Sequence, residues 1–243
     1  MFDYSLYTDR GDRSINEDSI GFSIKNERAC FVLCDGLGGH GMGDVASGMV
    51  KNSILNDFEK TDDNIGFLEN AFINAQKLLI EEQKRRNVTK QMKSTANVIL
   101  FDKEYAYIGH IGDSRTYIFK RNKIFKRTLD HSVPQKLVLA GEIGDKEIRN
   151  HPDRNKVLRA MGEEWNKPKF ELMEKIKTSK CNVFLICSDG FWENIEDSDM
   201  CRSLKGKDSA DAWMQEMVSI VKNNSRRQVG ERDNNSAIAI WVK

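Results

Sequence analysis

The sequence predicts an α+β fold in which helices and strands are segregated instead of alternating. Three observations carry this. Short apolar runs bounded by turn residues, at 29–34, 182–188 and 237–242, have the length and composition of buried strands. Two consecutive stretches, 44–58 and 64–86, repeat apolar residues at helical spacing with no strand between them. From Thr95 to Lys126 the period becomes that of a strand meander, 95–101, 105–111, 116–120 and 123–126, joined by Asp102-Lys103-Glu104 and Arg121-Asn122. At 243 residues the chain can bury one large core, and with no linker or internal repeat a single domain over 1–243 is expected.

In order, residues 2–8 and 19–25 read as strands around a charged connector, 8–18, that contains Arg13, Glu17 and Asp18. Charge runs of this kind are commonly solvated loops. Arg13 alternatively offers a bidentate fork to a phosphoryl group, with Glu17 and Asp18 facing cations. In the first helix Val45, Met49, Val50, Ile54, Leu55 and Phe58 form the apolar stripe; in the second, Leu68, Ala71, Phe72, Ala75, Leu78 and Leu79 do so. Lys84-Arg85-Arg86 sits at the second helix's negative end. The polar segment 129–162 holds one short helix at 134–140, with Pro134 in its first turn and Gly141 closing it, and is read as a flap over a site. Strands resume at 170–177 and 182–188, followed by a helix at 208–223 and a last strand at 237–242.

The glycine stretch after the 29–34 run has two chemical readings. Five glycines in eight residues, Gly36 to Gly43, let backbone approach a ligand closely. Gly36, Gly38 and Gly41 spell G-x-G-x-x-G with Asp57 downstream, the pattern of a dinucleotide cradle. Asp35 places a negative charge at the mouth of such a cradle, which suits a metal ion better. Three further aspartates favour the metal. Asp113 and Asp189 also end apolar strands, and Asp233 precedes one. If the four converge, two carboxylates about 5 Å apart repel by roughly 3 kcal/mol at an effective dielectric of about 20. Protons or cations must neutralise them, and hard oxygen ligands select Mg²⁺ or Mn²⁺.

Composition excludes other classes. The formal net charge is +1 with acids and bases interspersed, so neither nucleic acid nor a membrane is an expected partner. No apolar leader and no run of 18 apolar residues occurs, and the five cysteines are unpatterned, which together indicate a soluble protein of a reducing, cytoplasmic compartment.

The motifs Arg13-x-x-Asn16-Glu17-Asp18, Asp35-Gly36-x-Gly38-Gly39-His40, Gly112-Asp113-Ser114-Arg115, Asp130-His131-Ser132, Ser188-Asp189-Gly190 and Asp233-Asn234 occur in that order. Together they resemble the metal-dependent, type 2C (PPM) serine/threonine protein phosphatases, in their compact bacterial form, over nearly the whole chain. The resemblance implies an αββα four-layer sandwich of two antiparallel sheets flanked by helices, with 129–162 as the flap. It implies a phosphoserine/phosphothreonine phosphatase in which water bridging two Mn²⁺ or Mg²⁺ ions attacks phosphorus. Asp35 would bridge the ions and the Gly36 carbonyl would bind one; Asp189 and Asp233 would bind the other. Asp113 with Asp189 would form a third, weaker site, Glu17 and Asp18 would orient metal-bound waters, and Arg13 would grip the substrate phosphate. Partners would be phosphorylated proteins made by a serine/threonine kinase, and a monomer is expected. The alternative is a catalytically silent module with the same fold. Two positions depart from the family pattern: Lys93-Ser94-Thr95 stands where many relatives have Gly-Thr-Thr, and Leu37 follows Asp35-Gly36 where some have histidine. His40 is therefore the candidate proton donor, beside a metal-bound water.

Overall fold

The computed structural model describes residues 1–37, 42–62, 64–88, 91–227 and 230–243. Alternation along the strands decides its layering. In β3 (Arg28–Leu37), Ala29, Phe31 and Leu33 pack on one side and Cys30, Val32 and Cys34 on the other, all fully buried. A strand buried on both faces must lie between two layers. The same division holds in β5 (Ala96–Phe101), β11 (Val183–Cys187) and β12 (Asn235–Val242).

Two antiparallel sheets result. One runs β1 (Phe2–Asp9), β12, β11, β7 (Arg115–Lys120), β8 (Lys123–Arg127). The other runs β10 (Ile176–Lys177), β6 (Tyr105–Ile111), β5, β3, β2 (Asp18–Lys25), with β4 (Lys93–Ser94) on β3 and β9 (Glu171–Leu172) on β6. Phe31, Ile99 and Phe101 from the second sheet meet Ile118, Phe184, Ile186, Ile238 and Ile240 from the first. Phe101 meets Phe184 edge-on, with ring centres 5.1 Å apart. Helices α1 (Gly43–Lys60) and α2 (Phe67–Arg86) cover the second sheet through Val50, Ile54, Phe58, Phe72 and Leu79. Helices α5 (Asp197–Leu204) and α6 (Ala210–Ser225) cover the first through Met200, Trp213 and Met217. The four layers are the expected αββα.

Several expectations change in detail. The strand expected at 170–177 is reduced to the short β9 and β10; Glu171, Leu172, Glu174, Lys175 and Lys177 are exposed, so little burial holds a continuous ladder at that edge. Helix α5 and the one-turn α4 (Asp189–Trp192) were too short to show a helical period. In the segment 129–162, α3 (Val133–Ala140) starts where the Ser132 hydroxyl accepts the Gln135 N–H and ends at Gly141, whose φ is +76°. The dinucleotide reading fails, because all sheet pairings are antiparallel and Asp57 lies on the flank of α1, accepting the Asn74 side-chain amide at 2.9 Å. Among the described residues no helix is long and apolar enough to cross a membrane.

Candidate metal centre

Strand register brings the aspartates to one end. The inward series Ala29, Phe31, Leu33 continues to Asp35, and the residue opposite Asp35 on β2 is Asp18. Ile20, two residues from Asp18, packs against the core between the sheets, so both carboxylates open onto that seam. In the other sheet Cys187 lies opposite both Ala237 and Arg115, so the segments carrying Asp189, Asp233 and Asp113 leave the sheet at one level. The Ser188 hydroxyl closes the gap between the sheets by donating to Asp18 Oδ2 at 2.9 Å.

Two glycines are demanded by close approach. A Cβ on Gly36 would fall within 3.0 Å of both the Gly43 and Glu17 carbonyls, and the Gly36 N–H donates to the Glu17 carbonyl at 3.1 Å. A Cβ on Gly190 would collide with the Asn234 carbonyl.

The electrostatics are those of an acidic cluster short of counter-charge. Burial, then Asp189, Asp18, Asp113 and Asp233, hold the Asp35 carboxyl well above the usual carboxylate range. Burial, then Asp189 and Asp130, do the same to Asp113, which is 3% exposed. Asp18 is pushed up to about 7 by burial, against the hydrogen bonds from Ser236 and Ser188. Asp189 is pushed up to about 6 by burial and Asp233, against its hydrogen bonds with Asp35 and the Gly190 N–H. Oδ1 of Asp18, Asp44 and Asp113 is buried without a hydrogen-bond partner. Such oxygens cost the fold unless something positive meets them. An all-oxygen donor set with orphaned lone pairs therefore fits Mg²⁺ or Mn²⁺.

The remaining predicted residues surround this core. The Glu17 carboxylate accepts the Gly43 N–H, and burial raises its pKa. Its backbone N–H donates to Asn234 Oδ1 at 2.8 Å, while Asn234 Nδ2 donates to the Arg10 and Ile15 carbonyls at 2.8 and 3.0 Å. Asn234 thus staples the Arg13 loop to the start of β12. Arg13 does not present a free fork: its Nε and Nη2 donate to the two oxygens of Asp233, each at 3.0 Å. Asp113 is held from behind by the Trp192 indole N–H, which donates to its carbonyl at 3.0 Å. His40 lies outside the described residues.

Two acids beside the centre escaped the sequence reading. Glu193 lies one helical turn after Asp189 and is pushed up to about 7 by burial and by Asp189. Its i,i+4 spacing from Asp189 was the available signal, legible only once α4 is known to be helical. Asp44, in the first turn of α1, adds charge beside Glu17.

His110, His131 and Glu171 have ligand atoms within 4.8 Å of one another, the one such group of three among the described residues. Two of the three are already engaged. His131 Nδ1 accepts the Gly112 N–H at 3.2 Å, so the ring proton sits on Nε2, which faces Glu171 Oε1 at 3.2 Å. The two imidazoles stack at 4.7 Å with their planes 16° apart; His110 Nε2 is bonded to the Leu129 carbonyl at 2.9 Å, while its Nδ1 is buried without a partner. Arg159 already neutralises Glu171 at 2.8 Å.

A family model described as protein phosphatase 2C matches residues 8–232. The chain belongs to the protein phosphatase 2C family. Among its relatives, the serine/threonine phosphatase stp of Listeria welshimeri is 30% identical over 241 residues, spanning 96% of this chain and 93% of that protein. The crystal structure of serine/threonine phosphatase Stp1 from Staphylococcus aureus superposes with a TM-score of 0.90 at 26% identity, covering 100% of this chain and 96% of that one. The PstP catalytic domain crystallised with two manganese ions shares the fold, with a TM-score of 0.80 at 23% identity over 99% of this chain and 97% of that one.

Proposed function

We propose that this chain is a metal-dependent serine/threonine protein phosphatase acting on phosphorylated proteins. The observation that carries the reading is the convergence of Asp18, Asp35, Asp113 and Asp189 on one seam, where one carboxylate oxygen each of Asp18 and Asp113 is buried without a partner. Asp35 and the Gly36 carbonyl, with Asp189 and Asp233, are the proposed ligands of two Mn²⁺ or Mg²⁺ ions; Asp113 with Asp189 is the proposed third site. Bound there, such ions supply an activated water nucleophile and neutralise charge on the transferring phosphoryl group. Glu17 and Asp18 accept hydrogen bonds from water at the seam and hold it in line. Arg13 binds the phosphoryl oxygens, and His40 is the proposed protein donor of a proton to the leaving serine or threonine oxygen. A single domain, monomeric and cytoplasmic, reversing a serine/threonine kinase, completes the proposal; all five cysteines are free thiols.

Release of phosphate from a phosphothreonine peptide tests this. Activity with Mn²⁺, abolished by a chelator and by Asp35→Asn, is the expected result. Chelator-insensitive turnover, or full activity in Asp35→Asn, overturns it. A catalytically silent module would have lost ligands, and each proposed acid is present.

A further inference from the structure

Arg13 and a cation at Asp233 compete for the same two oxygens. The guanidinium takes both, Nε to Oδ1 and Nη2 to Oδ2 at 3.0 Å each, in the parallel two-bond geometry that a phosphate also accepts. The loop does not need this pair to stay docked. Asp12 N–H donates to the Arg232 carbonyl at 2.9 Å, Arg232 Nε donates to Asp12 Oδ2 at 2.9 Å, and Asn234 ties down the Arg10 and Ile15 carbonyls. Arg13 and Asp233 are also 47% and 44% exposed, where an ion pair adds little to stability.

We infer that Arg13 is an internal counter-ion of Asp233, and that its displacement by a divalent cation frees its fork to take the substrate phosphoryl group. The inference rests on the proposed function and adds a coupling to it. A cation on Asp233 withdraws the two-bond partner of the guanidinium and leaves it the exposed Glu231, 3.7 Å from Nη1, as its remaining ion pair. The same fork then finds its bidentate partner in the phosphoryl oxygens, one side chain away from the seam. Linkage makes the effect reciprocal: phosphate, by drawing Arg13 off Asp233, raises the affinity for the cation by the factor with which the cation raises the affinity for phosphate. Arg13 is in this sense both a brake on cation loading and a receptor for the phosphoryl group.

Calorimetric titration of the full chain with Mn²⁺, with and without inorganic phosphate, tests the coupling. Arg13→Ala should bind Mn²⁺ roughly fivefold more tightly than the unaltered chain and should lose the tightening that phosphate causes. Arg226→Ala removes the same charge from an exposed position that touches neither Asp233 nor the ties of the Arg13 loop, and should shift Mn²⁺ affinity less than about twofold. Unchanged or weaker Mn²⁺ binding by Arg13→Ala, or phosphate-induced tightening that survives it, overturns the inference. An unaltered chain that binds no Mn²⁺ overturns the metal centre itself, a separate and visible result. Melting temperatures of both variants close to that of the unaltered chain identify the shifts as electrostatic.

Discussion

Replacing Arg115 by methionine should remove about 3 kcal/mol of stability. The guanidinium is 3% exposed and its partner Asp130 is 5% exposed. Nε and Nη2 donate to the two Asp130 oxygens at 2.8 and 2.7 Å, Nη1 donates to Tyr117 Oη at 3.1 Å, and the plane lies 3.5 Å over the Trp192 ring. Methionine fills most of the volume but leaves Asp130 buried without its main counter-charge, which costs about 3–5 kcal/mol in comparable pairs. Arg127, 3.7 Å from Asp130 Oδ1, retains part of the compensation and sets the value at the lower end. For a chain of 243 residues that loss lowers the melting temperature by roughly 6–12 °C. Urea unfolding of Arg115→Met, Asp130→Asn and the double variant measures it, and the double variant should regain at least half of the loss. A loss under about 1 kcal/mol, or a double variant no better than the single, would refute the reasoning.

Other consequences follow from the same geometry. In chelator, the raised carboxyls hold protons in the folded chain that the unfolded chain has released, so stability should fall as pH rises from 6 to 8, by about 1.4 kcal/mol each for Asp18 and Glu193, both pushed up to about 7. His110 and His131, held neutral by burial, oppose this mainly below about pH 6.5, so the fall should dominate above it; scanning calorimetry that shows a flat or rising melting temperature there contradicts the clustering. Asp113→Asn removes a buried acid whose Oδ1 has no partner, and should stabilise the chelated protein by about 1–3 kcal/mol at pH 8 while weakening Mn²⁺ binding in calorimetry. Gly190→Ala forces its methyl against the Asn234 carbonyl beside Asp189, and should cost about 1–3 kcal/mol in urea unfolding together with Mn²⁺ affinity; a neutral outcome would show that the approach is relaxed at no cost.

Much of this was legible in the sequence where a pattern repeats. The strands that carry the acids are continuous apolar runs because they are buried on both faces, and the helices of the second sheet show their stripes because only one face is covered. Asp35, Asp113 and Asp189 were visible as carboxylates ending such runs. What remained hidden depends on contacts across the seam. Nothing local marks the Ser188 hydroxyl as the bridge to Asp18, and the amide of Asn234 reaches Arg10, Ile15 and Glu17 only once the chain ends are side by side. Arg13 shows the limit most clearly: its residue type announces an oxyanion partner, yet a carboxylate and a phosphate are equally good partners, and only the fold brings Asp233 to it.

The most direct test is anomalous scattering from a crystal soaked in Mn²⁺. The account predicts manganese peaks at the seam, against the oxygens of Asp35, Asp189 and Asp233. Peaks confined to His110, His131 and Glu171, or a seam without manganese whose carboxylates stay paired with protons and with Arg13, would contradict it.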